Sequence, residues 1–380
     1  MARLDSICGM KMGQSPDSSS YNENGKGIPF FQGNADFGVI HPTVRVWCDA
    51  PTKIAYEGDI LISVRAPIGA LNIANTECCI GRGLAALTVD ETVCDKQYLW
   101  YGLASKVDEL NSKGTGSTFK AISKNVLAET EIPLPTIDIQ KQISLKLDNV
   151  CNLISLRKQQ LSKLDELVKA RFVELFGSAK HNHQGYPVVK IGSCAKLQGG
   201  FAFKSSDYLD DGIRLVQISN VNKDTLDWDS INCVPQSFLQ KYKDFELHVG
   251  DLVLAMTRPV IKSLDAVKIA TVSEDDVPSL LNQRVGRFVI DKAKLNSVYL
   301  MLSCQMPEFR EYVEAMSGNS LQPNISSKQV EDYSIVLPPL ALQEQFAAFV
   351  EQTDKSKSEI QKSLEKLEIL KKALMQKYFG

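Results

Sequence analysis

Few side chains here are typed and spaced for bond-making chemistry. His181 and His183 stand two apart in HNH (residues 181–183) and could share a metal. The surrounding run SAKHNHQGYP (178–187) has no cysteine or third histidine, whereas a structural zinc normally takes four clustered ligands. A phosphate-cradling loop needs G-x-x-x-x-G-K-[ST]; here Gly25-Lys26 is followed by Gly27, and Ser20 stands where the leading glycine belongs. No G-x-S-x-G, H-E-x-x-H or strand-linked G-x-G-x-x-G occurs. Pro338-Pro339 lies in LPPL, without the acidic or amide residue before it and the aromatic after it that an adenine amino-methyltransferase uses to grip its base. The inventory points away from catalysis and towards recognition.

The elements that must carry such a task fit in 380 residues, room for two domains of ordinary size. Hydrophobic content of 44% and charged content of 23% are ordinary globular values, and no apolar run approaches the roughly 20 residues that span a bilayer. The start, MARLDSICGM, lacks a secretion signal pattern. Nine cysteines without C-x-x-C spacing, two of them adjacent at Cys78 and Cys79, do not make a disulfide framework. A reducing cytoplasm is the expected compartment, with no membrane contact.

An internal repeat supplies what the motifs do not. A shift of 203 residues aligns IPLPTIDIQKQISLKLDNVCNLISLRKQQLSKLDELVKARFVELFG (132–177) with IVLPPLALQEQFAAFVEQTDKSKSEIQKSLEKLEILKKALMQKYFG (335–380) without a gap, and 14 of 46 positions are identical. They include Pro135/Pro338, Gln140/Gln343, Gln142/Gln345 and the closing Phe-Gly. A period this long means a duplicated domain rather than a stacked array. In each copy apolar residues recur in steps of three and four, the pattern of a long helix with one apolar seam. The first seam reads Ile143, Leu147, Val150, Ile154, Leu161, Leu164, Val168 and Leu175, with Arg157 and Arg171 filling the remaining places. The second reads Phe346, Val350, Ile360, Leu364, Leu367, Leu374 and Tyr378, interrupted by Thr353, Lys357 and Lys371. The upstream prolines suit helix starts and Gly177 suits a C-terminal cap. At 1.5 Å per residue, about 36 residues make a rod of roughly 50 Å. Each stripe either packs onto its own domain or pairs with the other copy, and antiparallel pairing is the arrangement expected.

The globular parts correspond too, in shifted registers. DILISV (59–64) after Gly58 answers DLVLAM (251–256) after Gly250; YLWYGLASKVDEL answers YLMLSCQMPEFREYVEAM; GTGSTFKAIS answers SGNSLQPNIS. Short β-rich runs lie between them, so each half is α+β followed by a helix. The expected boundaries are a module over 1–137, a helix over 138–177, a linker over 178–187, a second module over 188–340 and a second helix over 341–380. The framework repeats while the polar loops do not, which suggests one task performed on two targets.

This layout resembles the DNA specificity subunits of type I restriction-modification systems. The resemblance rests on the helix starts IPLPTIDIQKQI and IVLPPLALQEQF, on DILISVRAPIG, and on LQGGFAFKSSDYLDDGIRLVQISNV; the first module's loop GQSPDSSSYNENGKGIPF departs from it in lacking the aromatic pair Phe201/Phe203. It implies two tandem target-recognition domains, each followed by a helix, the helices paired as an antiparallel coiled coil with pseudo-two-fold symmetry. Each domain would then read half of a bipartite, asymmetric site in double-stranded DNA, and the helix pair would set the gap; half-sites on one DNA face lie about 34–36 Å or a multiple apart. By the same resemblance, two methyltransferase subunits carry S-adenosylmethionine, motor and endonuclease subunits where present carry ATP and magnesium, and this chain holds no cofactor or metal.

Readers of base edges are expected among loop Arg, Lys, Asn, Gln, Ser and Thr, whose donors and acceptors match the major groove. In the first module these are Gln14, Ser15, Tyr21, Gln32, Asn34, Arg65, Arg82, Lys113, Thr118 and Lys120. In the second they are Lys204, Gln217, Asn220, Arg258, Lys262, Gln283, Arg284, Asn319 and Gln322. Arg65 and Arg258 follow corresponding strands, while Phe201 and Phe203 are expected in the core. Charge sets a limit: the net charge is -2, with 12 basic against 15 acidic residues over 1–135 and 17 against 19 over 178–340. Phosphate neutralisation dominates nonspecific DNA affinity, so the chain alone should bind weakly and partner subunits should supply much of the backbone clamp. The alternative is a scaffold whose modules bind proteins through the same loops.

Overall fold

A computed structural model of the chain describes residues 1–116, 120–318 and 322–380. It divides into two compact units, Met1–Gln159 with Gln361–Gly380, and Gln160–Ile360.

The first unit is built on β1 (Cys8–Met12), β2 (Ile28–Phe31), β3 (Ile60–Ser63), β4 (Leu71–Ile73), β5 (Cys78–Ile80) and β6 (Leu84–Val89). An antiparallel sheet runs β1-β6-β3-β4, with Leu87 opposite Ile60 and Ala85 opposite Met12. In a second sheet β2 and β5 lie parallel, flanked by Val46–Cys48 on one side and Ile54–Ala55 on the other. The run ILIS in β3 is buried throughout, as expected of a central strand covered on both faces. α1 (Lys96–Ser105) is capped by Asp95, which accepts from the Tyr98 N–H at 2.8 Å. α2 (Ile137–Phe176) follows, 40 residues long.

The second unit repeats this plan with β7 (Ala195–Gly199), β8 (Ile213–Val216), β9 (Leu252–Ala255), β10 (Ile269–Thr271), β11 (Ser279–Leu281) and β12 (Val285–Ile290). Its antiparallel sheet runs β7-β12-β9-β10, and β8 and β11 form the parallel pair of the other sheet. Asn296 caps α3 (Ser297–Gln305), and α4 (Leu340–Phe379) is again 40 residues long.

One repeated residue explains how each long helix starts. Gln140 is fully buried; its Oε1 accepts from the Asp95 N–H at 2.9 Å, and its Nε2 donates to Val93 O and Pro135 O at 3.1 and 2.8 Å. Gln343 does the same with the Asn296 N–H at 2.9 Å and with Lys294 O and Pro338 O at 3.1 and 2.8 Å. Each glutamine thus ties its helix to the cap of the shorter helix in the same module. The Tyr98 hydroxyl adds a bond to Pro133 O at 2.9 Å, and Tyr299 adds the matching one to Val336 O at 2.6 Å.

The helix ends go elsewhere. In the first unit, Ile143 and Leu147 near the start of α2 share a core with Leu374, Met375, Tyr378 and Phe379 at the end of α4. In the second, Val168, Phe172 and Phe176 at the end of α2 share a core with Phe346, Phe349 and Val350 near the start of α4. Within each unit the two helices run antiparallel, and Lys158–Glu368 (3.2 Å) and Lys357–Asp165 (2.7 Å) bridge them. The Phe379 ring lies 4.9 Å from Tyr98, and that of Phe176 lies 4.8 Å from Tyr299. Each helix therefore starts on its own module and finishes against the other's tyrosine, so the two placements open at the sequence level are both used.

Val150 and Leu364 are buried, and Ile154, Leu161, Leu164, Ile360 and Leu367 are half-buried. The seam departs from expectation at the end of α2. There Arg171 is exposed and paired with Glu174 at 2.8 Å, while Phe172 and Phe176 turn inward. A straight helix of 3.6 residues per turn drifts off a 3.5 repeat, and its last turns face the module as well as the other helix. Gly177 closes α2 with φ +64°, a conformation that favours glycine.

Candidate nucleic-acid interface

The shortest of the links between the two sheets of each module is a three-residue loop, residues 81–83 between β5 and β6 and residues 282–284 between β11 and β12. In the first module backbone bonds gather several chain segments around it. Gly81 N donates to Phe31 O at 2.8 Å, Gly83 N to Gln32 O at 3.1 Å and Val64 N to Gly83 O at 2.9 Å. Gln14 N donates to Ile80 O at 3.0 Å, Ala66 N to Lys120 O at 3.0 Å, and Arg82 N to Ser15 Oγ at 3.3 Å. A Cβ on Gly13 would collide with Gly81 O and one on Gly83 with Gln32 O, so small residues are required where these backbones meet. The result places Gln14, Ser15, Gln32, Arg65, Arg82 and Lys120 about one junction, with all but half-buried Ser15 exposed.

The second module uses the same wiring. Asn282 N donates to Val216 O at 3.1 Å, Met256 N to Arg284 O at 2.8 Å, Phe201 N to Leu281 O at 3.0 Å and Arg258 N to Pro323 O at 2.8 Å. Bond for bond, Gln32 matches Gln217, Gly83 matches Arg284, Ala66 matches Arg258 and Lys120 matches Pro323. Arg258, Gln283, Arg284 and Gln322 are gathered and exposed, and Arg284 donates to Gln322 Oε1 at 3.4 Å. Arg65 and Arg258 follow corresponding strands and stand one residue apart in register, because Arg65 pairs with Ala121 where Thr257 pairs with Asn324.

Other candidates lie apart from the junctions or are already engaged. The Tyr21 ring stacks on Phe30 at 4.7 Å and its hydroxyl donates to Pro16 O at 2.9 Å. Asn34 opens a short turn closed by Asp36, and Lys113 pairs with Glu109 at 2.6 Å. Lys204 precedes a short turn and Lys262 sits at the tip of the hairpin Val260–Ile261 with Ala266–Val267, both exposed. The Gln217 side chain is held by Tyr208 and Asn232 at 3.2 and 2.7 Å. Asn220 is fully buried; its Oδ1 accepts from Gln217 N at 3.0 Å and its Nδ2 donates to Asp227 O and Ser230 O at 2.9 and 2.7 Å, so it closes a loop and offers nothing to a ligand. Thr118 and Asn319 lie outside the described residues. Phe201 and Phe203 pack with Tyr242 at 4.5 and 5.2 Å, in the core as expected.

Sequence reasoning missed Lys268. It stands where the first module has Ala70, since Ala255 N donates to Lys268 O at 3.0 Å as Ser63 N donates to Ala70 O at 2.8 Å. Its Nζ donates to Ile218 O at 3.2 Å. Burial, and then the charge of Arg258, pull its pKa below the ordinary lysine value. Aligning VKIATV with GALNIA could have found it.

The model of the family "Type I restriction modification DNA specificity domain" matches residues 1–166 and 183–371. The chain belongs to that family. Among its relatives is the type I restriction enzyme MjaVIII specificity subunit of Methanocaldococcus jannaschii, 28% identical over 295 residues that cover 74% of this chain and 69% of that protein. Another is the putative type I restriction enzyme MjaX specificity subunit of the same organism, 41% identical over 158 residues, 42% of this chain and 37% of that protein. The crystal structure of a type I restriction-modification S subunit from M. genitalium shares the fold over 100% of this chain and 95% of that one, with TM-score 0.56 and 16% identity. This specificity chain accordingly serves DNA sequence recognition and carries no catalytic step of its own. No helix among the described residues is long and apolar enough to cross a membrane.

Proposed function

We propose that this chain reads a bipartite, asymmetric site in double-stranded DNA, with one half-site for each module. In this reading the recognition modules span 1–137 and 188–340, and the spacer helices set the gap between the half-sites. The observation that carries it is the shared junction wiring with unlike side chains: Gln14, Gln32, Arg65, Arg82 and Lys120 in one module, Arg258, Gln283, Arg284 and Gln322 in the other. Long cationic and amide side chains on a rigid two-sheet corner suit contacts to base edges and to the flanking phosphates. Two methyltransferase subunits using S-adenosylmethionine would act on adenines within the site, joined by ATP-dependent motor and endonuclease subunits where these exist. Exposed leucines on α2 support docking of partner helices: Leu145 and Leu156 are 62% and 55% exposed and lie three turns apart on one face.

Deleting the gene should abolish a gapped adenine-methylation motif in the host genome. Replacing residues 1–135 with another such module should change only one half of it. The acidic balance of both modules favours a second reading, a protein-binding scaffold, and an unchanged methylome after deletion would select it.

A further inference from the structure

We propose that Arg258 and Lys268 form a clamp for one DNA backbone phosphate, contributing affinity rather than base identity; this rests on the specificity reading above. The two residues come from opposite sides of one turn. Arg258 follows β9 and is pinned through Arg258 N to Pro323 O at 2.8 Å, and Lys268 N bonds back to Pro259 O at 2.7 Å. The Lys268 ammonium reaches Ile218 O at 3.2 Å, beside the Gln217 segment, so it lies between that segment and the Arg258 turn.

Among the described residues no carboxylate pairs with either cation, whereas Arg287 is paired with Asp251 at 3.3 Å and Lys196 with Glu331 at 3.1 Å in the same unit. Two like charges, one of them half-buried, repel each other and lose hydration unless an anion arrives. The pair is peculiar to this module, because the matching positions of the first are Ala66 and Ala70. An exposed arginine on the same turn as a half-buried ammonium suits the tetrahedral, multiply accepting oxygens of a phosphate.

The test uses the full chain, alone and with its methyltransferase subunits, on a labelled duplex carrying the methylated motif and on duplexes altered in each half-site, across a potassium chloride series. Lys268→Met and Arg258→Gln should each weaken binding several-fold, by the same factor on every duplex. The double variant should lower the slope of log K against log salt by about 0.9, the value for one phosphate. Arg258→Gln changes an exposed side chain, so it keeps the test intact if Lys268→Met misfolds. Binding with an unchanged slope, or a loss confined to the cognate duplex, overturns the clamp alone. Failure of the wild-type chain to bind DNA in either state overturns the specificity reading, and the clamp with it.

Discussion

Gln140 and Gln343 show how much a single repeated side chain can do. Each uses its whole amide inside the protein, so Gln140→Leu should strand the Asp95 N–H and two carbonyls in a buried site, at a cost of about 2–4 kcal/mol. Gln142 is just as strongly repeated but exposed, and Gln142→Leu should leave the isolated chain's urea midpoint within error. Equal losses in the two variants would contradict the role given to Gln140. The repeat made both pairs visible in the sequence; only burial distinguishes the structural pair from the surface one.

Buried thiols give a second residue-scale expectation. Burial raises the pKa values of Cys8, Cys78 and Cys94 to about 12, with neighbouring Cys94, Cys79 and Asp95 respectively adding to it. The unfolded chain loses these protons above about pH 8.5 while the folded chain retains them. Their contribution to stability is thus complete below that pH and is lost as pH rises towards 12. Urea midpoints should fall over this alkaline range, and Cys8→Ser with Cys94→Ser should flatten the decline; a flat wild-type profile would argue against the assignment.

At the scale of elements, the long helices were legible because their seam recurs over ten turns, and the strands because DILISV and DLVLAM repeat in order. The wiring of the junctions was not legible. It depends on backbone contacts between segments as far apart as Gln14 and Ile80, which periodicity does not encode, and so the position of Lys268 escaped. The inward turn of Phe172 was missed for a similar reason, since its neighbour Tyr299 belongs to the other half of the chain. Phe176→Ala should cost about 3–5 kcal/mol in the second unit, and Arg171→Ala well under 1 kcal/mol. Hydrogen exchange would read both; comparable protection losses would restore Arg171 to the seam.

For the whole molecule, the acidic composition and the clustered cations work against each other in DNA binding. The chain alone should bind duplexes weakly and with little preference, and adding methyltransferase subunits should raise affinity sharply, as measured by anisotropy at fixed salt. Tight unaided binding would contradict the division of labour between partners. Composition alone made this tension legible, whereas the bases recognised depend on a few loop atoms that no pattern in the sequence specifies.

The α4 end that packs on Tyr98 also bears on biosynthesis. A ribosome releases the first module's strands early, yet Leu374, Met375, Tyr378 and Phe379, which complete that module's core, are made some 240 residues after residue 137. Until then Tyr98 and its neighbours lack their cover, and nascent chains are in the state most prone to aggregate or to bind a chaperone. The half that is translated first is therefore the half that matures last.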